Sequence, residues 1–173
     1  HYDVLLLQFA IRNVANYSTP VLSLDDGQPD EWEILAKLGM IAQGLGPHAD
    51  PHLADDLAIE GLVRNSIGDP SSPVLGRNAD EIIDVLNAEG RRGPARMLDF
   101  MLQTGPYGAG FGSNVGGASL QLLLDHPHGV DFGALEPRLP DALRTRTGMI
   151  ELAPEPLIAD VPRLLDSIDE FTK

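Results

Sequence analysis

The chain has 173 residues, enough for one ordinary domain with a substantial core, and it contains no cysteine. A disulfide framework, a thiolate nucleophile, an iron–sulfur cluster and a Cys-based zinc site are therefore excluded within it. Its 12 Lys and Arg stand against 26 Asp and Glu, a formal net charge of −14. That charge repels phosphate backbones and anionic lipid, and argues against nucleic-acid and membrane partners.

The chain opens at His1 without an initiator Met, which predicts a segment cut from a longer polypeptide. Val4-Leu-Leu-Leu-Gln-Phe-Ala-Ile11 is a short apolar run with no basic flank before it and no cleavage pattern after it, so it does not read as a signal peptide. No stretch approaches the ~18 uninterrupted apolar residues of a membrane span, and cytoplasmic residence is the expectation. The run's length, and the Asn, Ser and Pro that follow, predict a strand entering from a sheet not fully present here. Residues 13–29 read as extended chain and turns, punctuated by Pro20, Asp25-Asp26-Gly27 and Pro29.

A first helix is predicted after Pro29, with Asp30 and Glu33 in capping-box spacing. Trp32, Leu35, Leu38, Ile41 and Leu45 recur at three and four residues as a buried face would, and Gly44 and Gly46 supply the stop. A second helix is predicted from Asp50-Pro51, carrying Leu53, Leu57, Leu62, Val63 and Ile67 and ending at Gly68-Asp69-Pro70. Asn78 and Glu81 repeat the capping spacing ahead of Ile82, Ile83 and Leu86 in a third. A fourth follows Gly93-Pro94 with Met97, Leu98, Met101 and Leu102. Four amphipathic helices with short connections predict a packed helical subdomain.

The character changes at Gly105, where Gly108, Gly110, Gly112, Gly116 and Gly117 follow in quick succession. A helical turn or two is expected over residues 119–125. From His126 onward Pro and Gly recur and predict ordered loop, with a short strand at Met149–Leu152 and a last helix within Leu157–Ile168 that Pro162 would delay. The expected fold is mainly α: an entry segment over 1–29, a helical subdomain over 30–104, and a loop-rich connector over 105–173 leading toward a further C-terminal domain.

Chemistry is sparse. Gly110-Phe-Gly112 continues as Ser-Asn-Val, which fails the dinucleotide pattern, and Gly112 and Gly117 have P-loop spacing but Ala118-Ser119 follows where Lys-Ser/Thr is needed. A flexible or tightly turned surface loop is the reading. His48, Asp50, His52, Asp55 and Asp56 form one His/Asp cluster, and His126, His128 and Asp131 another. Both hold metal-ligand chemistry, but neither has the spacing that puts two ligands on one helix face. No metal site is assigned, and a small metal-dependent hydrolase is the least favoured of three function classes. There is no Gly-x-Ser-x-Gly elbow, so no catalytic residue is assigned. Arg91 with Arg92, and Arg144 with Arg146, are basic islands expected to form solvated ion pairs.

Five stretches resemble one family, the large catalytic subunits of molybdopterin-dinucleotide oxidoreductases, in its formate-dehydrogenase-like branch. Arg12-Asn-Val-Ala-Asn-Tyr-Ser18, with Pro20-Val21 after it, resembles the stretch following the returning segment of that family's central α/β region. Asp30-Glu-Trp-Glu-Ile-Leu35 resembles the helix that comes next. Thr104-Gly-Pro-Tyr-Gly108 and His126-Pro-His-Gly-Val-Asp131 resemble connecting motifs. Arg144-Thr-Arg-Thr-Gly-Met-Ile-Glu-Leu-Ala-Pro154 resembles the lead into the C-terminal dinucleotide-binding barrel, with Met149 where Lys is common.

The resemblance implies a place as well as an activity. The parent enzyme would use molybdopterin guanine dinucleotide with molybdenum or tungsten and an iron–sulfur cluster, held upstream and downstream of this segment. The segment itself would be non-catalytic, framing the cofactor cleft and joining domains, with the parent's remaining domains as its partners. Arg12 and Asn13 are the residues the resemblance puts nearest the cofactor. Copies of the isolated segment could pair through surfaces the parent would cover, giving a homo-oligomer. The alternative from the residues alone is a free-standing acidic helical protein-interaction module.

Overall fold

The computed structural model describes residues 12–171, and the strand expected at Val4–Ile11 lies outside them. Among the described residues the fold is mainly α, with six α-helices and one two-stranded sheet. In chain order these are β1 (Arg12–Ala15), α1 (Glu31–Ala42), α2 (Pro51–Gly68), α3 (Ala79–Leu86), α4 (Pro94–Thr104), α5 (Leu120–Asp125), β2 (Val130–Ala134) and α6 (Glu155–Phe171). No helix among the described residues is long and apolar enough to cross a membrane.

Helix starts follow the local capping chemistry. The Asp30 side chain accepts from the backbone of Glu33, whose carboxylate accepts the Asp30 N–H at 2.7 Å, so the box at α1 is closed. Asp50 caps α2 through the His52 N–H at 2.9 Å, with Pro51 at the first helical position. Asn78 caps α3 through the Asp80 N–H, and Ser119 caps α5 through the Leu122 N–H.

Ile82 and Leu86 of α3 and Val63 of α2 are buried as expected, but the buried faces of α1, α2 and α4 otherwise differ from the apolar stripes. On α1 only Met40 is buried and Trp32 is half-buried, while Leu35, Leu38 and Ile41, expected inside, are exposed, Leu38 by 57%, as is Leu45 just beyond the helix. Apolar residues occupy both sides of α1, so periodicity alone does not choose the inward one. On α2 the inward ladder is Asp55, Ile59 and Val63 at i, i+4 and i+8, and Leu53 and Leu57 face out. On α4 the expected Met97 and Met101 are exposed, and the buried face is Arg96, Asp99, Phe100 and Gln103. The core gathers Ile59, Val63, Val74, Ala79, Ile82, Leu86 and Phe100, with Leu62, Ile67, Ile83 and Phe111 packed on it. Each large aliphatic side chain fully buried there contributes about 1.5–3 kcal/mol.

The chain forms two compact units, divided between Ala134 and Leu135 rather than at Gly105. The stretch expected to begin a connector is thus part of the helical unit. β1 and β2 pair antiparallel, with Arg12 opposite Ala134, Val14 opposite Asp131 and Ala15 opposite Val130, and the register shifts between Arg12 and Val14. β1 falls within the entry segment expected as strand and extended chain, whereas β2 falls where loop was expected.

In the second unit, Met149–Leu152 is not a strand. Thr145 Oγ donates to the Met149 carbonyl at 2.6 Å and Gly148 N–H to Thr145, which closes a turn instead. The last helix starts at Glu155, before Pro162, and continues through that proline to Phe171. Proline there removes one helical N–H and crowds the carbonyl of Ile158 four residues before it, a cost the helix carries. Its apolar residues Leu157, Ile158, Val161, Leu164 and Leu165, at three- and four-residue spacing, are all exposed.

Candidate functional site

Three features of the first unit concentrate polar groups. The first is a buried knot around α4. Arg96 is 1% exposed, and its guanidinium pairs with Asp55 at 2.5 Å and Asp56 at 2.8 Å and donates to the Asn87 side chain at 2.7 Å. Asp55 also accepts the Gly93 N–H at 2.9 Å, a carboxylate placed at the N-terminus of α4 where the helix dipole favours it. Arg92 pairs with Asp56 at the edge. Partial burial pushes the Asp56 carboxyl up, but the hydrogen bond from Arg96 and the charges of Arg92 and Arg96 outweigh it, and its pKa lies below the ordinary carboxylate value.

One turn further along, Asp99 is 1% exposed and fully engaged. It accepts from Arg91 at 3.1 Å, Gln103 at 3.1 Å and the Leu120 N–H at 2.9 Å, tying α4 to the start of α5. The expected pairing of Arg91 is therefore present, but it is buried rather than solvated. Such groups tolerate burial because nearly every polar atom finds a partner, Arg96 Nε being the buried exception among the described residues.

Trp32 meets this knot from α1. Gly93 has φ +55°, and a Cβ there would lie 2.6 Å from the indole ring, so the approach requires glycine. His52 sits edge-on to the same ring at 5.4 Å, its Nε2 3.0 Å from Glu33.

The second feature is the glycine-rich loop, which is tightly turned and pinned. Arg77 donates to the carbonyls of Gly110 at 2.5 Å and Phe111 at 3.0 Å, and its guanidinium lies 6.0 Å from the Phe111 ring centroid. The Gln103 side chain accepts the Phe111 N–H at 3.0 Å, holding that residue at φ +51°. A Cβ on Gly108 would overlap the Gln103 carbonyl. The loop's own N–H groups at 108, 109, 110, 112 and 113 go to backbone carbonyls, which accounts for the glycines without a bound anion.

The third is a pocket of about 230 Å³ where the sheet meets the end of α4. Arg12–Ala15, Gly105, Pro106, Tyr107, Ala118 and Phe132 are among its lining. Tyr107 stacks on Phe132 at 5.6 Å. Arg12 donates from Nε at 3.0 Å and Nη2 at 2.7 Å to Asp131, and the Asn13 amide donates to the Ala134 carbonyl at 3.0 Å. The hydrogen bond from Arg12, with a second from the Gly133 N–H, holds the Asp131 carboxyl below its ordinary value.

The structure separates the His/Asp clusters. Asp50 is a cap, His52 belongs to Glu33 and Trp32, and Asp55 and Asp56 belong to Arg96. His126 Nδ1 contacts the Leu122 carbonyl at 2.8 Å, and Asp131 belongs to Arg12. Among the described residues no group of three or more His, Asp or Glu could hold a metal. Asp55, Asp56 and Asp99 are each bound to a guanidinium, so the arrangement offers rigidity rather than a free base. The sequence reading did not single out Arg77, Arg96, Asp99 and Gln103. The i, i+3, i+7 spacing of the last three was a readable signal, whereas nothing local marks Arg77. Comparison with protein-family models, with curated proteins and with solved structures gives no match.

Proposed function

We propose that this chain is a non-catalytic segment of a molybdopterin-dependent oxidoreductase, framing the cofactor cleft and joining domains. One observation carries the reading: two of the five stretches that resemble the family line one pocket, and Asp131, the last residue of a third, pairs with Arg12 at its edge. Arg12–Ala15, Gly105–Tyr107 and the strand reached from His126-Pro-His-Gly-Val-Asp131 surround the same pocket, locked by the Arg12–Asp131 pair and the Tyr107–Phe132 stack. Motifs separated by about ninety residues or more, as Arg12 and Gly105 are, have no local reason to converge.

In this reading the parent's cofactor supplies two-electron redox chemistry. Arg12 and Asn13 commit part of their donor capacity to Asp131 and Ala134 and keep further N–H groups free of those bonds, and the rest of the cofactor's site would come from the parent's other domains. The role of Arg12 and Asn13 is to hold β1 against β2 beside the region the cofactor would occupy. Cytoplasmic placement belongs to the same reading. The coding sequence on either side tests it: a Cys-rich cluster motif upstream and a barrel downstream are expected, and a reading frame confined to these residues overturns it.

A second reading, an acidic helical interaction module, is favoured by the exposed apolar residues on α1 and α6. It requires a saturable complex with a partner protein that Leu38→Asp or Leu164→Asp weakens at least tenfold in titration calorimetry. Unchanged affinity in both variants removes it.

A further inference from the structure

We draw no further inference here: the strongest candidate, the exposed apolar face of α1 formed by Ile34, Leu38 and Ile41 beside Pro51, is an unpartnered helix surface, and nothing in the structure shows what covers it.

Discussion

Two Arg–Asp pairs of the same chemistry sit in opposite surroundings. Arg96 and Asp55 in the helical unit are 1% and 6% exposed, whereas Arg163 and Asp160 on α6 are 74% and 49% exposed. Distance does not distinguish them, at 2.5 and 2.6 Å. What differs is the consequence of breaking them. Water replaces either partner on α6 at once, while in the knot a lost guanidinium leaves a carboxylate buried without its counter-charge. The same contrast applies to apolar residues: the first unit buries a contiguous core, and α6 exposes its stripe.

The largest effect is therefore expected from Arg96→Met, which keeps volume and removes charge. It should lower unfolding stability by about 3–5 kcal/mol in urea titrations. A loss below about 1 kcal/mol would mean that water reaches Asp55, and the contrast with α6 would fail. Gly93→Ala comes next. A non-glycine residue at φ +55° and a Cβ against the indole should together cost about 2–4 kcal/mol. Trp32 is the sole tryptophan, so its emission should shift to the red as the ring is displaced. Unchanged emission would show that the close approach is not needed. Arg77→Ala should cost about 1.5–3 kcal/mol by freeing two carbonyls from a charged donor. Amide exchange over residues 105–117 should accelerate in that variant, and exchange as slow as in the parent chain would show that the glycine crossings alone hold the loop.

These residues also mark what was legible in the sequence. Capping side chains act within four residues, so Asp30 with Glu33, Asp50 and Asn78 announce their helices correctly. Inward faces depend on partners elsewhere in the chain. Asp55 points inward because Arg96, 41 positions later, and the Gly93 N–H receive it. α4 buries three polar side chains for the same reason, and a hydrophobicity pattern ranks Met97 and Met101 ahead of them. The pairing of β1 with β2 was not legible because it joins residues 119 positions apart, as the Arg12–Asp131 pair shows. The convergence at the pocket was beyond local reading on the same ground.

Acid should act in the same direction on an exposed Arg–Asp pair in each unit. The Asp131 carboxyl titrates below its ordinary value in the folded chain, mainly through Arg12. Its contribution is present above the unfolded carboxylate pKa of about 3.9 and is lost as pH falls through the lower folded value. Carbon-detected NMR should give Asp131 a midpoint under that of an unstructured Asp, and Arg12→Ala should restore it. An unmoved midpoint in the wild type would mean that the pair does not hold β1 to β2 in solution.

The smallest effect is expected on α6. The hydrogen bond from Arg163 holds the Asp160 carboxyl below its ordinary value, so any stabilisation again disappears as pH falls through the folded pKa. Because both side chains are solvated, that titration should be visible by NMR while the unfolding midpoint stays where it was. Asp160→Asn should leave helicity and the urea midpoint within error, in low salt and in high. A clear loss of stability in Asp160→Asn would mean that the pair is covered in solution. The exposed stripe of α6 would then be a seated surface, and the two Arg–Asp pairs would no longer differ in kind.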